Sequence, residues 1–398
     1  MYHLLINSPV GEEMVALLPR MNTMVIVLYF GLFAMSFDFI SGYSGYLSFG
    51  HGAFYGTGAY LVVFIANNKV PLLGSATPFM ASLFLAGLLA AALAVLIGLV
   101  AFRLTGVYFA MITLGVAEVL HVFVRNWDYV GSNPRDGAYV LEHPEGFAIG
   151  VPGIDALNLR IGRLTGDTVQ NFLGLGVEFS TTEVSYYMVG LVVLIAYLAM
   201  QRIIHSPFGR VMIAIRENEE RAEAVGYHTL RYKIGAFAIS AFFAGIAGAL
   251  FAGYARSVAP ENTFFFLVTG FALLAAIIGG FGTLAGPLFG WFFYQTLNEF
   301  LTKEGGGLLP YLRANLGEGT LGTELAGGLT LNEFIEVFLN GHASLYIGIV
   351  FVLFVLYVPH GLLGTLRVRL GGPLASELPK RLAALWEQYR HVIPGNRS

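Results

Sequence analysis

The stretch SGYSGYLSFGHGAFYGTGAY, residues 41–60, places six glycines between two strongly apolar runs. If it formed one helix, steps of three and four residues would gather its small residues on a single face: Ser41, Gly45, Ser48, Gly52 and Gly56. Such a face lets membrane helices approach closely, because lipid provides little hydrophobic force between helices. Gly42, Gly50 and Gly58 lie off this face, and a glycine costs about 1 kcal/mol relative to alanine inside a helix. The surplus predicts an interrupted segment, a short helix followed by a span.

The composition of the whole chain is that of an integral membrane protein. Of its 398 residues, 56% are hydrophobic and only 12% are charged, whereas soluble domains carry about 25% charged residues. Its repeated apolar runs of roughly 17–25 residues can each cross about 30 Å of hydrocarbon. We predict an all-α polytopic bundle of about eight or nine transmembrane helices in the cell membrane, forming one transmembrane domain over residues 1–364. The predicted spans are Met24–Ile40, Gly50–Ala66, Phe79–Ala101, Val107–Val124, Val184–Ile204, Ile234–Tyr254, Phe264–Ile278, Leu284–Leu301 and Ser344–Val358.

Positive charges predict which ends of the spans face the cytoplasm, because cytoplasmic loops near the spans carry an excess of lysine and arginine. When nine spans alternate and the 205–233 loop is placed inside, thirteen of the 22 lysines and arginines lie on that side. The basic tail, residues 365–398, then also lies inside, and we expect it to anchor at lipid headgroups rather than to bind nucleic acid. The amino terminus and the long segments 125–183 and 302–343 are expected outside.

Two segments beside the predicted bundle carry patterns of their own. Upstream of the first run, Glu12 and Glu13 stand where a secretory signal would have a basic start, so we expect that run to be a retained helix. In the segment TLNEFIEVFLNG, Thr330 precedes Glu333 by three residues, as in a capping box, and Gly341 follows the apolar face. This pattern predicts an interfacial helix on the outer side.

A second glycine cluster, IIGGFGTLAGPLFG, occupies residues 277–290. It predicts either a tight hairpin on the cytoplasmic side or a break within the bilayer. For both clusters, one interpretation is helix packing and turn formation, and the other is direct contact with a transported solute, as at the broken helices of transporters.

Ionisable residues inside the predicted spans are few: Asp38, His51, Glu118 and His121. Such residues are costly in hydrocarbon and usually face a cavity or a partner. We therefore consider His51 and Glu118 as candidates for a functional role. An ion-coupled carrier would be expected to place several carboxylates near mid-membrane, and this sequence does not show that pattern.

Several kinds of catalytic or cofactor site have no sequence pattern here. The chain has no cysteine, which excludes disulfides, thiol nucleophiles and thiolate metal sites, and its nine histidines are too scattered for an HExxH arrangement. None of the four lysines follows a glycine, so the sequence contains no GxxxxGK[ST] phosphate loop. We predict no catalytic residues, no metal and no cofactor, and any ATP-driven mechanism requires another subunit.

The loop at residues 205–233 predicts an amphipathic helix from Gly209 to Val225. Its apolar stripe is Val211, Ala214, Ile215, Ala222 and Val225, opposite a face rich in glutamate. Gly226 suits a left-handed cap at its end. The helix could rest on lipid headgroups, but its glutamates disfavour an anionic membrane surface, so we expect a protein partner.

The sequence Glu220-Arg221-Ala222 followed by Gly226 is similar to the EAA-x-x-x-G coupling-loop motif of ABC importer permeases. The longer string IRENEERAEAVGYHTLRYKIGAFAISAFFAGIAGALFAGYARSVAPE, together with LSFGHGAFYGTGAY and IIGGFGTLAGPLFG, resembles the LivM-type permeases of branched-chain amino acid ABC transporters. The resemblance is ordered and runs from about Ser41 to Leu301. Arg221 departs from the usual alanine of the motif, and the Leu-Pro that usually follows it is missing.

The resemblance implies a permease subunit that moves solute by alternating access. Its partners would be a homologous second permease, two cytoplasmic ATP-binding subunits and an external solute-binding protein. Leucine, isoleucine and valine would be the solutes, although similar permeases serve urea, amides or aromatic acids. The residues expected to contact the ATPase are Arg210, Arg216, Glu217, Glu220, Ala222 and Gly226. The residues expected along the translocation path are Ser41, Gly45, Ser48, His51, Gly52, Gly56, Glu118, Gly279, Gly280 and Gly282.

Two other classes of function stay open at this point. An ion-coupled secondary carrier or channel for a small polar solute would transport without ATP or partner subunits. An intramembrane enzyme would need a clustered nucleophile, base or metal set, which the sequence does not offer.

Overall fold

A computed structural model describes most of the predicted bundle. The described residues are 19–74, 77–131, 133–140, 148–151, 154–160, 180–302, 323, 330, 343–358 and 361–365. Their elements, in chain order, are α1 (Met21–Ser44), α2 (Gly52–Ala66), α3 (Phe79–Ala101), α4 (Val107–Arg125), β1 (Ala138–Tyr139), β2 (Ala148–Val151), β3 (Ile154–Arg160), α5 (Thr181–Ile204), α6 (Pro207–Glu217), α7 (Glu219–Ala224), α8 (Thr229–Ala255), β4 (Ser257–Val258), a 3₁₀ turn (Pro260–Asn262), α9 (Phe266–Gly279), α10 (Gly286–Thr302) and α11 (Ala343–Tyr357).

Each of the nine predicted spans coincides with one of these helices. Seven helical stretches of the described residues are long and apolar enough to cross a membrane. The other two predicted spans correspond to α2, with 15 residues, and α10, with 17. At about 1.5 Å per residue, α2 is shorter than the roughly 30 Å of hydrocarbon in a bilayer. The chain is thus a multi-pass helical membrane protein in which α2 is a short span.

Helices α1 and α8 form the centre of the bundle. Helix α8 packs against α1, α2 and α3, and α1 also packs against α5, α9 and α10. Small residues make these contacts close: a Cβ atom on Gly245 would lie 2.7 Å from both the Ala86 carbonyl oxygen and the Ala90 Cβ of α3. A Cβ on Gly58 of α2 would in turn run into the Gly245 backbone. Glycine packing of this kind is what joins helices where lipid supplies little hydrophobic force.

The first glycine cluster is interrupted as predicted, but the predicted short helix is wrong, because residues 41–44 are the last turn of the 24-residue helix α1. Helix α1 ends at Ser44, Gly45 follows with a left-handed φ of +81°, and α2 begins at Gly52. The single small-residue face is therefore wrong, since its members lie in three different pieces of structure: Ser41 on α1, Gly45 and Ser48 in the connection, and Gly52 and Gly56 on α2. The off-face glycines include close contacts of their own, because a Cβ on Gly50 would overlap the Thr113 carbonyl group of α4.

The second glycine cluster forms a tight turn between the antiparallel helices α9 and α10. Residues 280–285 connect them, and Gly280 and Gly282 have φ values of +118° and +78°. A side chain on Gly279 would overlap the Gly286 backbone. The turn joins two separate helices, and its position relative to the bilayer, which distinguishes the two alternatives, stays a prediction.

The loops divide between two ends of the bundle. At one end, β1 pairs with β4 in an antiparallel sheet, with Ala138 opposite Val258, and Arg125 lies 3.7 Å from Glu261. At the other end, α6 and α7 lie near the 45–51 connection and the 280–285 turn. We name these the β1–β4 end and the α6–α7 end. The charge distribution predicts that the α6–α7 end faces the cytoplasm.

The predicted helix from Gly209 to Val225 is wrong in one respect, since it is two helices. Asn218 separates α6 from α7 with extended backbone angles, and its side chain accepts a hydrogen bond from the Arg221 amide at 2.8 Å. Asparagine is a favoured N-cap residue, and the acidic first turn that follows complements the helix dipole. The cap at Gly226 is confirmed: its φ is +100°, and the Tyr227 amide bonds to the Ala222 carbonyl at 3.1 Å.

The predicted all-α class did not include strands, and the described part of residues 125–183 contains β1 and a β2–β3 hairpin. The predicted interfacial helix at Thr330–Gly341 lies outside the described residues, except for Thr330 itself. The basic tail beyond residue 365 also lies outside them.

Candidate functional site

The α6–α7 segment is bonded to the end of α1 through Arg216. Its Nη1 atom donates a hydrogen bond to the Gly42 carbonyl oxygen. Gly42 lies in the last turn of α1, where carbonyl groups have no partner within the helix and the helix dipole is negative. The guanidinium therefore binds at a helix end that offers both a carbonyl acceptor and the negative end of the helix dipole. Arg216 was predicted to contact an ATPase; it is an exposed residue whose guanidinium reaches the end of α1.

The 280–285 turn is bonded to the same part of α1. The Gly282 amide donates to Asp38 Oδ1 at 2.8 Å, and the Leu284 amide donates to the Tyr43 hydroxyl at 2.9 Å. Asp38 is fully buried, and its Oδ2 accepts no hydrogen bond from any described residue. The approach is close because Gly42 and Gly282 both lack side chains: a Cβ on Gly42 would lie 2.9 Å from the Gly282 Cα. Both glycine clusters thus meet at the α6–α7 end.

A second polar cluster holds α7 to the 45–51 connection. The Tyr46 hydroxyl donates to Glu219 Oε2 at 2.9 Å, and Lys233 Nζ donates to Glu219 Oε1. The Lys233 ammonium also lies 5.0 Å from the centroid of the Tyr46 ring, within the range of a cation–π interaction. Thr229 completes the cluster, with its hydroxyl 2.6 Å from Glu223 Oε1 and 3.1 Å from Glu219 Oε1.

The charge state of this cluster follows from its contacts. Burial acts to raise the pKa of Glu219, but the hydrogen bonds from Lys233, Tyr46 and Thr229, together with the Lys233 charge, outweigh it and lower that pKa. Burial, together with the Glu219 carboxylate, raises the pKa of the Tyr46 hydroxyl. Glu219 is therefore ionised and Tyr46 is neutral at physiological pH, which suits the observed direction of their hydrogen bond.

An open cleft of about 560 Å³ lies at the α6–α7 end. It is bounded by three parts of the chain: residues 44–49, the start of α4, and residues 215–219. Its polar lining includes Arg216, Glu217, Asn218 and Glu219. The cleft is thus lined both by the connection between α1 and α2 and by part of the α6–α7 segment.

His51 joins α1, α2 and α8 at the centre of the first interruption. It is 0% exposed, and its Nε2 lies 3.2 Å from Ser36 Oγ and 3.3 Å from Ser240 Oγ. Both serine hydroxyls already donate to carbonyl oxygens, Ser36 to Phe33 at 2.6 Å and Ser240 to Ser36 at 2.5 Å. Since a hydroxyl carries one hydrogen, the imidazole must donate from Nε2. Its Nδ1 is then an acceptor, with no hydrogen-bond partner among the described residues.

The pair Glu118 and His121 lies on α4 towards the β1–β4 end. Glu118 Oε2 is 3.5 Å from His121 Nδ1, and the His121 ring lies 5.4 Å from the Phe265 ring. Glu118 Oε1 and His121 Nε2 have no hydrogen-bond partner among the described residues. Arg125 and Glu261 form an ion pair near the same end of α4.

The predicted path residues fall into separate groups, and the structure does not bring all of them together. Gly52 and Gly56 face α9 and the residues just before it: the Gly52 amide donates to Thr269 Oγ1 of α9 at 2.8 Å, and a Cβ on Gly56 would lie 2.7 Å from the Phe264 ring. Ser41 and Ser48 are buried and Gly45 is exposed. Gly279, Gly280 and Gly282 lie at the α6–α7 end, whereas Glu118 lies towards the opposite end.

The other residues predicted to contact an ATPase are mostly exposed. Arg210, Glu217, Glu220 and Gly226 are exposed, whereas Ala222 is buried in a small cluster with Val211, Ile215 and Tyr232. Val225 was predicted to belong to this apolar stripe, but it is 73% exposed because α7 ends at Ala224. Ala214, also predicted in the stripe, is exposed as well. An exposed groove of about 440 Å³ lies beside the Gly226 cap. It is lined by Phe208, Gly226, Tyr227, His228, Arg231 and Tyr232.

Sequence reasoning did not assign Tyr46, Thr229 or Lys233 to the site, and it gave Asp38 a low rank. The sequence places Lys233 at the edge of an apolar run, where a buried lysine requires an anionic partner. That requirement could have directed attention to the nearby glutamates. Nothing local to Tyr46 or Gly282 indicates their contacts, since their partners lie 173 and 244 residues away.

Comparison with known proteins identifies the family. Residues 20–306 match the family model described as the branched-chain amino acid transport system permease component. The chain belongs to this permease family. The permease is 34% identical over 260 residues to the high-affinity branched-chain amino acid transport system permease protein LivM of Escherichia coli (strain K12), a match that covers 65% of this chain and 58% of that protein.

Two further relatives are informative. LivM of Salmonella typhimurium is also 34% identical, over 66% of this chain and 58% of its own length. The permease protein LivH of E. coli K12 is 24% identical over 70% of this chain and 84% of its own length. The permease thus matches a little over half the length of the two LivM proteins. No solved structure matches the chain.

Proposed function

We propose that the chain is the membrane-spanning permease subunit of an ABC importer for branched-chain amino acids or related small solutes. The names of its LivM and LivH relatives support this solute class. Its similarity to both of these proteins also supports a homologous second permease as a partner. Two cytoplasmic ATP-binding subunits and an external solute-binding protein complete the proposed assembly.

The observation that carries this proposal is the bonding of the α6–α7 segment to the first glycine interruption, which α1 in turn connects to the second. Arg216 bonds to Gly42, and Glu219 bonds to Tyr46, so a displacement of α6 and α7 is transmitted directly to the connection between α1 and α2. The Gly282 amide bonds to Asp38 one turn before Gly42, which adds the 280–285 turn to the same unit. A segment driven from the cytoplasm would therefore move both helix breaks together.

The proposed path runs along the broken segments. Residues 45–51 leave the regular helix at the α6–α7 end, and two of their buried polar atoms, Ser48 Oγ and His51 Nδ1, have no hydrogen-bond partner among the described residues. Irregular backbone and buried polar groups of this kind are tolerated at membrane depth where a cavity or a solute can cover them. The residues proposed to line the path are those predicted from the sequence: Ser41, Gly45, Ser48, His51, Gly52, Gly56, Glu118, Gly279, Gly280 and Gly282.

The exposed side of α6 and α7 is the proposed contact with an ATP-binding subunit. Arg210, Glu217 and Glu220 present charges there, and Val225 adds exposed apolar surface beside the Gly226 cap. The half-buried polar contacts of Arg216 and Glu219 hold the segment to the bundle. A rigid docking element that is bonded to the spans on its other face suits the transfer of movement.

Reconstitution into liposomes tests the proposal. The complete assembly, with its ATP-binding subunits and binding protein, should accumulate radiolabelled leucine only when ATP is present, and the chain alone should accumulate none. Uptake by the chain alone, driven by an ion gradient, would instead establish the secondary carrier. A Gly52→Leu variant should assemble with the ATPase but lose uptake, because a Cβ at this position already lies 3.0 Å from the Thr263 carbonyl oxygen.

A further inference from the structure

We propose that Asp38 and Arg216 form a switchable link that passes movement of α6 to the 280–285 turn. In the described state, Arg216 bonds to the Gly42 carbonyl. In the second state, its guanidinium bonds to the free Oδ2 of Asp38, and the turn held by Asp38 shifts with it. The inference rests on the proposed ATP-driven function and assigns a positioning role to a residue pair within it.

The first argument is the incomplete bonding of Asp38. Its Oδ1 accepts the Gly282 amide at 2.8 Å, while Oδ2 is buried with no hydrogen-bond partner among the described residues. A buried polar atom that lacks a hydrogen bond is costly, and the cost is larger for a charged group. A conformation that supplies a donor to Oδ2 is therefore favoured by Asp38 itself.

The second argument is the position of the donor. Gly42 lies four residues after Asp38 on α1, so both face the same way, and a Cβ on Gly42 would overlap the Asp38 carboxylate. The Arg216 guanidinium lies beside that carboxylate, since its Nη1 bonds to the carbonyl of the same Gly42. Among the described residues, the Gly42 oxygen is its one hydrogen-bond acceptor, whereas a guanidinium has five N–H donors. A small rotation of the side chain would bring it from one acceptor to the other.

The third argument is the connection to the turn. The position that a Cβ on Gly282 would occupy is 3.7 Å from Arg216 Nη1, so the turn, the carboxylate and the guanidinium share one small space. Because Gly282 has no side chain, the guanidinium has room to move there. The Leu284 amide, bonded to the Tyr43 hydroxyl, gives the turn a second attachment to α1. A change at Asp38 therefore acts on the turn through direct bonds.

Three variants of the complete transporter test the link: Asp38→Asn, Arg216→Gln and the double variant. Asparagine keeps an oxygen for the Gly282 amide but removes the charge. We expect leucine taken up per ATP hydrolysed to fall about tenfold or more in each single variant, the range expected when a hydrogen bond to a charged group is lost. ATP hydrolysis should continue. The double variant should be no worse than either single variant, because both remove the same interaction.

Arg202→Gln is the matched control, since Arg202 is an exposed arginine near the end of α5 that precedes α6, and it takes no part in the link. It should leave uptake per ATP unchanged. Arg216→Lys separates charge from geometry: it should recover part of the coupling lost in Arg216→Gln. Because Arg216 is exposed, its variants should assemble normally, and they keep the test valid if Asp38→Asn lowers the amount of assembled complex.

Two results would overturn the link while leaving the proposed function intact. One is normal uptake per ATP in Arg216→Gln, and the other is a double variant whose loss is the product of the two single losses. The proposed function fails in a different way, through a wild-type assembly that shows no ATP-dependent uptake of leucine.

Discussion

Replacing Gly245 by alanine should destabilise the bundle, although alanine is the better helix former. The added Cβ would lie 2.7 Å from the Ala86 carbonyl oxygen and 2.7 Å from the Ala90 Cβ, whereas ordinary contacts of a Cβ begin near 3.4 Å. Helices α3 and α8 would have to separate by several tenths of an ångström. Movement in the opposite direction is limited by α2, because a Cβ on Gly58 would already overlap the Gly245 carbonyl group. Insertion of extra atoms into a packed core costs about 1–3 kcal/mol.

Gly115→Ala on α4 provides the matched control, because a Cβ there would meet nothing within 4 Å. The helix preference of alanine, about 0.5–1 kcal/mol, favours both variants and cancels when they are compared. The difference between them therefore isolates the packing cost. Thermal unfolding of the purified chain in detergent, followed by far-UV circular dichroism, should give a lower midpoint for Gly245→Ala than for Gly115→Ala.

Adding Ala90→Gly to Gly245→Ala should restore part of the lost unfolding midpoint. The second substitution removes the Ala90 Cβ from the crowded site but leaves the Ala86 carbonyl oxygen there. Equal midpoints for Gly245→Ala and Gly115→Ala would show that α3 and α8 are not packed as closely as described. If the double variant unfolds at the same midpoint as Gly245→Ala, the loss of stability does not come from the contact with Ala90.

Three further predictions concern the α6–α7 end and His51. Folding lowers the pKa of Glu219 from 4.5, so its ionised form stabilises the protein above pH 4.5, and this contribution is lost as the pH falls through the lower folded pKa. The thermal unfolding midpoint should therefore decline more steeply with acid in wild type than in Glu219→Gln. Parallel plots of the midpoint against pH for the two proteins would contradict the Glu219 cluster. In the double variant Gly45→Cys/Arg216→Cys, the new Cβ atoms would lie about 3.7 Å apart, close to the mean for disulfides. Since the chain has no native cysteine, oxidation should reduce the free thiols from two to none, and two remaining thiols in a folded protein would refute the proximity. His51→Gln can keep a donor near the Nε2 position, so it should retain more thermal stability than His51→Leu; equal losses would argue against the assigned tautomer.

The sequence predicted the helices well and their contacts poorly. Each long apolar run became a helix because backbone groups in lipid must be bonded within their own segment, and this requirement can be recognised without knowing any neighbour. The glycine interruptions were also predictable, because glycine is costly within a helix and permissive at its end, as at Gly45 and Gly282.

The candidate site was harder to predict because its bonds join distant parts of the chain. No local pattern indicates that Asp38 accepts the Gly282 amide or that Tyr46 donates to Glu219. The small-residue face failed for a related reason: a periodic pattern identifies a face only while the helix continues, and α1 stops at Ser44. At Asn218, by contrast, a local cap pattern was present and would have divided the α6–α7 segment correctly.

The glycines of this permease serve two physical purposes, which explains why there are so many near residues 41–60. Gly58 and Gly245 lie within helices, where the missing side chain lets backbones touch. Gly45 and Gly282 have positive φ values, and there a glycine ends or turns the chain. The second kind ends a helix and leaves backbone groups near the break without partners inside it, so these groups can offer acceptors and donors to a neighbouring segment. The contacts of Arg216 with the Gly42 carbonyl and of Asp38 with the Gly282 amide depend on groups of this kind. A helix break is therefore what allows the α6–α7 segment to hold the spans by their backbone, and an uninterrupted helix would offer it side chains alone.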